Sequence, residues 1–227
     1  MTATAAESVC ALLADLHAWR LVNMPPENLA ANVGQREWLV KHADRSGFVK
    51  AGDLMPTFTM TEVDGGEVTL DRLLANGPAV VIFFRFGGCP ACNVAMPYYQ
   101  RQLYPALKAM GAPLLAISPE VPKLLVDIKR RHGFGFDVAC DFGNELARKL
   151  GITYECDDAS HRYYRRKNVD IGELAGTGRW ELPMPTVLVI DGDRRVRFAE
   201  VSPDWMVRTE AEVVIDAVKQ AMLARAW

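Results

Sequence analysis

The sequence predicts an α/β protein in which a central β-sheet is covered by helices on both faces. Short, continuously apolar runs, typical of strands buried on both faces, alternate with amphipathic helical patterns. Near the C-terminus, a turn signal between two extended runs predicts a hairpin, and a last helical pattern follows it. The 227 residues contain neither internal repeats nor low-complexity segments, so we expect one α/β domain with an appendage.

Residues 1–47 predict a helical extension. Apolar residues recur at three- and four-residue spacing in a first amphipathic helix: Val9, Leu12, Leu13, Leu16 and Trp19. Two prolines at 25–26 suit the start of a second helix, which continues from Glu27. The predicted domains are this extension and an α/β domain over residues 48–227, and the sequence assigns no function to the extension.

The α/β domain begins with two short extended runs around the turn signal at residues 64–66. The further predicted elements are, in order, a strand at 78–84, a helix at 90–110, a strand at 112–118, a helix at 119–132, a strand at 136–140, a helix from about 143, helical potential at 158–168, a hairpin turning at 191–193 and a helix at 209–226.

Composition and charge exclude several function classes. A net charge of −2 gives no electrostatic reason to expect nucleic acid or an anionic membrane as a partner. No apolar run approaches the ~20 residues that a membrane helix needs. Glu7 and Asp15 interrupt the apolar pattern of the N-terminus, which is therefore not typical of a signal peptide. Five cysteines do not indicate an extracellular disulfide framework, so we expect a cytoplasmic protein.

A Cys-x-x-Cys motif lies where the first buried strand meets its helix, in "FFRFGGCPAC". Pro90 follows Cys89 directly, and proline is favoured at the first position of a helix. We therefore expect Cys89 at the N-cap and Cys92 one turn in, beside the positive end of the helix dipole, which stabilises a thiolate. The spacing also brings the two sulfurs within bonding distance. The motif predicts an activated nucleophile and a resolving thiol, and the reaction requires that they are not walled off from solvent.

Such a pair can also be half of a zinc site or a coincidence. Zinc needs two further ligands, and the other cysteines and the histidines are scattered, so redox chemistry is the better interpretation and no metal or other cofactor is expected. Cys10 and Cys140 are expected to be buried and inert. The acidic neighbours of Cys156 are expected to raise its pKa.

A proline also heads the apolar strand in "LPMPTVLVID". A cis peptide bond before Pro185 would turn the chain sharply and present the backbone of Met184 to a neighbouring loop. A trans proline on an edge strand is the alternative. The Cys-x-x-Cys motif favours the cis prediction.

At this point the sequence resembles the thioredoxin superfamily and, within it, the peroxiredoxin-like branch of the AhpC/TSA (alkyl hydroperoxide reductase, thiol-specific antioxidant) family. The resemblance covers most of residues 48–220 and implies a thioredoxin-like fold with a peroxiredoxin-type central sheet. The matching stretches are "AGDLMPTFTM", "GPAVVIFFRFGGCPACNVAMPYYQ", "GAPLLAISPE", "DVACDFGNELARKLGI", "LPMPTVLVIDGDRRVRF" and "SPDWMVRTEAEVVIDAV".

The resemblance leaves open which cysteine attacks. Typical peroxiredoxins carry Pro-x-x-x-Thr/Ser-x-x-Cys, and aligned with that motif Cys92 takes the place of the attacking cysteine and Cys89 that of the threonine. In thioredoxins the first cysteine of the motif attacks, which here is Cys89. Gly88 stands where thioredoxins usually have tryptophan. Residues 184–185 stand where typical peroxiredoxins tend to have arginine.

The predicted function is the reduction of hydrogen peroxide or organic hydroperoxides, an antioxidant activity. The expected reductant is a thioredoxin-like or low-molecular-weight thiol. The family resemblance also allows a homodimer. Either Arg85 or Arg208 is expected to stabilise the alkoxide that forms when the peroxide O–O bond breaks. For each of these arginines, a solvated position on the surface is the simpler interpretation. The candidate site residues are Cys89, Cys92, Pro185, Thr186, Arg85 and Arg208.

Two alternatives remain. A general thiol–disulfide oxidoreductase of thioredoxin type would use the same cysteines on protein disulfides. A redox-responsive binding protein would use the fold without turnover, with the helical extension and the segment "HRYYRRKN" as a partner surface. That segment is otherwise typical of a solvated helix face.

Overall fold

A computed structural model describes residues 7–224 of the chain. Residues 1–6 and 225–227, at the ends of the two predicted domains, lie outside the described residues. The predicted last helix includes two of them, Arg225 and Ala226. None of the helices within 7–224 combines the length and the apolar character required to cross a membrane.

The chain forms ten α-helices, two short 3-10 helices (Arg45–Gly47 and Phe142–Asn144) and nine strands in the described range. The helices are α1 Val9–Asn23, α2 Pro26–His42, α3 Leu70–Leu74, α4 Pro90–Gln102, α5 Tyr104–Met110, α6 Pro122–His132, α7 Glu145–Lys149, α8 Asp158–Arg166, α9 Ile171–Leu174 and α10 Ala211–Ala224. The strands are β1 Thr59–Glu62, β2 Glu67–Thr69, β3 Ala79–Phe83, β4 Leu114–Ser118, β5 Asp137–Cys140, β6 Thr153–Glu155, β7 Glu181–Pro183, β8 Thr186–Ile190 and β9 Val196–Val201.

Seven strands form one mixed sheet in the order β2-β1-β5-β4-β3-β8-β9. β3, β4 and β5 run parallel, and antiparallel hairpins complete both edges. β6 and β7 form a separate two-stranded sheet. This mixed sheet with helices on both faces confirms the predicted fold class.

The sheet has a hydrophobic core on each face, because alternate residues of a strand point to opposite sides. Val80 and Ile82 of β3 belong to the larger core, together with side chains of α1, α4 and α10. Val81 and Phe83 belong to the smaller core, under α3 and α7. The two cysteines of the motif are part of the larger core.

Several expected elements differ in detail. The helix expected over 90–110 divides at Leu103, since Pro105, at the start of the second part, has no N–H to continue the first. Trp19 is 61% exposed, because only part of the apolar stripe predicted for the first helix faces the core. The strands β6 and β7 are each three residues long, too short for a recognisable pattern.

The first helix is fastened to the core by one carboxylate. Glu210, just before α10, accepts hydrogen bonds from Ser8 Oγ at 2.6 Å, from the backbone N–H groups of Val9 and Cys10 at 3.0 Å, and from Tyr98 Oη at 2.7 Å. Burial alone would raise the pKa of Glu210, but these hydrogen bonds outweigh it and lower the pKa to about 2. The N-terminus of α1 thus binds an anion from the other end of the chain.

Replacing Glu210 by Gln should lower the free energy of unfolding by about 2 kcal/mol at neutral pH, because several hydrogen bonds to a charged acceptor are lost. Since the folded-state pKa lies below the ordinary value of 4.5, the stabilisation is complete above about pH 5 and lost as the pH falls toward about 2. Urea unfolding over this range measures the difference between the two proteins. Glu212→Gln, at an exposed position in the first turn of α10, is the control. A deficit that does not shrink on acidification would contradict the assignment.

Candidate active site

The loop between β3 and α4 positions Cys89 as the N-cap of α4, as the sequence predicts. Asn93 Nδ2 donates to the carbonyls of Gly87 and Cys89, at 2.7 and 2.9 Å. The buried carboxylate of Glu120 accepts the Gly87 N–H at 2.6 Å. A Cβ atom at Gly87 would lie 3.0 Å from this carboxylate, so glycine allows the close approach. The loop is held from both sides.

The two sulfurs have opposite acidities. The pKa of Cys89 lies well below the usual cysteine value, chiefly because the Cys92 side chain donates a hydrogen bond to the thiolate, and then because Arg85 and Arg208 are positively charged; burial opposes these effects. Burial raises the pKa of Cys92, and the neighbouring Cys89 adds to that increase. Of the two sulfurs, Cys89 is therefore the more acidic and forms the thiolate first, while Cys92 keeps its proton to higher pH.

Arg85 is the main charged neighbour of the thiolate. Its Nη1 lies 3.6 Å from Cys89 Sγ, and its other nitrogens donate to Tyr154 Oη at 2.9 Å and to Tyr164 Oη at 2.6 Å. Its Cζ lies 4.0 Å from the ring centroid of Trp205. Arg85 is 3% exposed, so a solvated surface position is the wrong interpretation. Its geometry is fixed by three aromatic side chains.

Arg208 approaches the second cysteine. Its Nη2 lies 3.8 Å from Cys92 Sγ, and its Nη1 donates to the carbonyl of Val207 at 3.2 Å. The side chain is 6% exposed. Each cysteine of the motif therefore has its own arginine.

Both sulfurs are enclosed, contrary to the expectation that they are not walled off from solvent. Cys89 is 1% exposed and Cys92 is fully buried. The reason is that the motif belongs to the larger core, where side chains from several elements surround it. An attacking molecule reaches the sulfur only if a neighbouring side chain moves.

The prediction of a cis peptide bond before Pro185 is wrong, since every peptide bond within the described residues is trans. The Met184 N–H donates to Ile152 O at 2.7 Å, and its carbonyl accepts the Thr186 hydroxyl at 3.0 Å. The chain therefore runs without a reversal from β7 into β8, and the Met184 backbone is already paired. Pro185 and Thr186 are buried at the head of β8, where Thr186 pairs with Phe83 at the end of β3.

Sequence reasoning missed the aromatic residues around Arg85. Tyr154 lies in the unpredicted strand β6, and Trp205 lies in a loop without any periodic pattern. Tyr164 belongs to the segment at 161–168 that was expected to be a solvated helix face; most of that segment is exposed, but Tyr164 is buried. The wide spacing of these residues along the chain gives no local signal that they meet.

The remaining cysteines lie apart from the pair. Burial raises the pKa of Cys140 and of Cys156 to about 12, and the acidic neighbours of Cys156 act in the predicted direction. Cys10 is exposed and not buried as expected, and its Sγ lies 3.7 Å from the carbonyl oxygen of Arg208.

An open cavity of about 460 Å³ lies beside the loop. Phe86 and Gly88 line it on one side, and Leu124 and Val169 are among the residues on the other. The Phe86 ring also lies 5.6 Å from the Arg85 guanidinium. Phe86 therefore contacts both the cavity and the site.

Comparison with known proteins identifies a family and several relatives of this chain. The profile of the AhpC/TSA family matches residues 51–199. A thiol-disulfide oxidoreductase ResA from Geobacillus kaustophilus is 33% identical over 107 residues, 46% of this chain and 59% of its own length. A chloroplastic peroxiredoxin Q from Oryza sativa subsp. japonica is 27% identical over 106 residues, 47% of this chain and 48% of its own. The chain thus spans about half the length of the curated relatives that it matches.

Solved structures share the fold. The crystal structure of peroxidoxin BcpB from Mycobacterium tuberculosis superposes with a TM-score of 0.58 at 20% sequence identity, covering 76% of this chain and 97% of that one.

The acidity of Cys89 can be measured by titrating the ultraviolet thiolate absorbance of the reduced protein. We expect one thiolate at neutral pH that is absent in Cys89→Ser. Cys92→Ala should raise the pKa of Cys89 more than Cys92→Ser, because serine still donates a hydrogen bond. A neutral-pH signal that persists in Cys89→Ser would contradict the assignment, since Cys140 and Cys156 remain protonated there.

Proposed function

This chain belongs to the AhpC/TSA family, and from that premise we propose that it is a thiol-dependent peroxidase, which reduces hydrogen peroxide or organic hydroperoxides. The observation that carries the proposal is the low-pKa sulfur of Cys89 beside the buried guanidinium of Arg85. A peroxidase needs a thiolate and a donor for the departing oxygen, and these two side chains supply both.

The reaction proceeds in two steps on the protein. The Cys89 thiolate attacks one peroxide oxygen, the O–O bond breaks, and an alkoxide or hydroxide leaves and takes up a proton, so that Cys89 becomes a sulfenic acid. The Cys92 sulfur then attacks the Cys89 sulfur; a disulfide forms and water leaves. An external dithiol gives two electrons and two protons to the disulfide and is itself oxidised.

The arginines act at different steps of this sequence. Arg85 Nη1, beside the attacking sulfur, is placed to stabilise the negative oxygen that leaves. Arg208, beside Cys92, favours loss of the Cys92 proton during the second step. Pro185 and Thr186 take a supporting part, since Thr186 pairs with the strand end from which the loop departs.

The enclosure of both sulfurs requires an opening step. We place it at Phe86, because its ring contacts the Arg85 guanidinium on one side and lines the cavity of about 460 Å³ on the other. Displacement of this ring would connect the cavity with the site. The aliphatic residues of the lining, among them Leu124 and Val169, suit the apolar part of an organic hydroperoxide.

The proposal includes a thioredoxin-like or low-molecular-weight thiol as the reductant, a cytoplasmic location and a homodimer. The family resemblance supports the proposed partners, and the five unpaired cysteines support the proposed location.

The second candidate is a general thiol–disulfide oxidoreductase. The match to ResA proteins favours it, and so does the assignment of the thiolate to the first cysteine of the motif. In this reaction Cys89 attacks a protein disulfide, a mixed disulfide forms, and Cys92 releases the reduced product.

Arg85→Met should lower the rate constant for oxidation of the reduced protein by hydrogen peroxide about 100-fold, because a donor to the developing charge is lost. Stopped-flow measurement of protein fluorescence follows the reaction. Cys89→Ser should abolish it, and Cys92→Ser should stop it at the sulfenic acid. Arg72→Met, at an exposed arginine of α3, is the matched control and should react like the wild type.

Wild-type oxidation no faster than that of an ordinary thiol would refute the peroxidase proposal. Reduction of insulin disulfides under the same conditions would then support the second candidate. Thermal unfolding of each variant separates a loss of reactivity from a loss of folding.

A further inference from the structure

The N-terminal extension, α1 and α2, brings a third arginine to the region of the two thiols. Arg20, in the last turn of α1, is 5% exposed. Its Nη1 lies 3.1 Å from Met206 Sδ and 3.4 Å from Asn32 Oδ1 on α2. Met206 follows Trp205, whose ring lies against Arg85. Arg20 therefore contacts the segment that forms one wall of the site.

The partners of Arg20 are neutral. Within residues 7–224, no carboxylate lies at ion-pair distance from Arg20, Arg85 or Arg208. An arginine stays protonated in a protein, and a buried charge is costly unless an opposite charge is near. These three enclosed guanidiniums thus have no carboxylate against them in the described range, and a nearby anion would reduce the cost of burying them.

The charged and titratable groups whose charges act on the pKa of Arg20 come from several elements. They are Arg36 on α2, Arg85 after β3, Cys89 at the start of α4 and Tyr163 on α8. Arg36 is itself neutralised by Asp204, at 2.6 Å. Burial lowers the pKa of Arg20, and the Cys89 sulfur opposes this effect more than any other neighbour.

We propose that Arg20 is a positioning residue of the active site, through which the N-terminal extension adds a third positive charge that stabilises the Cys89 thiolate. The inference rests on the proposed function, since it takes Cys89 as the reactive thiolate. The family match begins at residue 51, so this charge comes from outside the matched region. With the chain divided at residues 47 and 48, as we propose, the extension contributes a contact to the wall of the following domain's site through Met206.

The test is a thiolate titration of the full-length reduced protein. Arg20→Met and Arg20→Gln should raise the pKa of Cys89 by about half a unit or more, because one nearby positive charge is lost. Arg20→Lys should restore it toward the wild-type value. Arg20→Gln keeps an amide donor toward Asn32 and Met206, and it carries the test if Arg20→Met does not fold.

Ser8→Ala is the matched structural control. It removes the N-cap hydroxyl that binds Glu210 and loosens α1 without changing the charge of Arg20. We expect a lower free energy of unfolding and an unchanged pKa of Cys89. Arginine variants that titrate like the wild type, or a shift in Ser8→Ala as large as theirs, would overturn the inference.

The two proposals fail in different ways. A wild-type protein without a thiolate at neutral pH would refute the proposed function itself. A wild-type thiolate that does not respond to the charge at position 20 would refute only the role of Arg20.

Discussion

Burying a guanidinium among aromatic rings costs free energy unless an anion lies against it. Next to Arg85, the sulfur of Cys89 supplies that anion. The phenol oxygens of Tyr154 and Tyr164 accept two of its hydrogen bonds, but they are neutral, because burial raises their pKa. The ring of Trp205 adds a cation–π contact and no charge. The contact between Arg85 and Cys89 therefore contributes both to the stability of this part of the core and to the low pKa of the thiol, which the hydrogen bond from Cys92 lowers further.

The fold brings each part of that interaction from a different element. The loop after β3 supplies Arg85, the N-cap of α4 supplies Cys89, and the two-stranded sheet supplies Tyr154. The loop between β9 and α10 supplies Trp205 and Arg208. Because none of these groups is a sequence neighbour of all the others, the site exists only in the folded chain, and the parallel strands with their crossovers are what hold its parts at fixed distances.

The part of this arrangement that was predictable is local in the sequence. The strand–loop–helix junction, the N-cap position of Cys89 and the pairing of two cysteines within one turn all follow from residues 83–92. The aromatic enclosure of Arg85 could not be predicted, since an isolated tyrosine in a three-residue strand carries no periodic signal. The error at Pro185 has a related cause: the motif suggested a chain reversal, whereas the pairing of Met184 with Ile152, a long-range contact, keeps the backbone trans and extended.

The structure also bears on the order in which the two cysteines act. Alignment with peroxiredoxins places Cys92 at the attacking position, but the reduced protein stabilises the thiolate on Cys89, because the Cys92 side chain donates to it. In the proposed mechanism, oxidation of Cys89 to a neutral sulfenic acid removes the negative charge that helps to keep Cys92 protonated. Arg208, 3.8 Å from Cys92 Sγ, then becomes the dominant charge beside the second sulfur and favours its ionisation. Each sulfur thus has an arginine beside it at the step in which that sulfur carries the negative charge. The charge lies first on Cys89 and then, as the reaction advances, on Cys92.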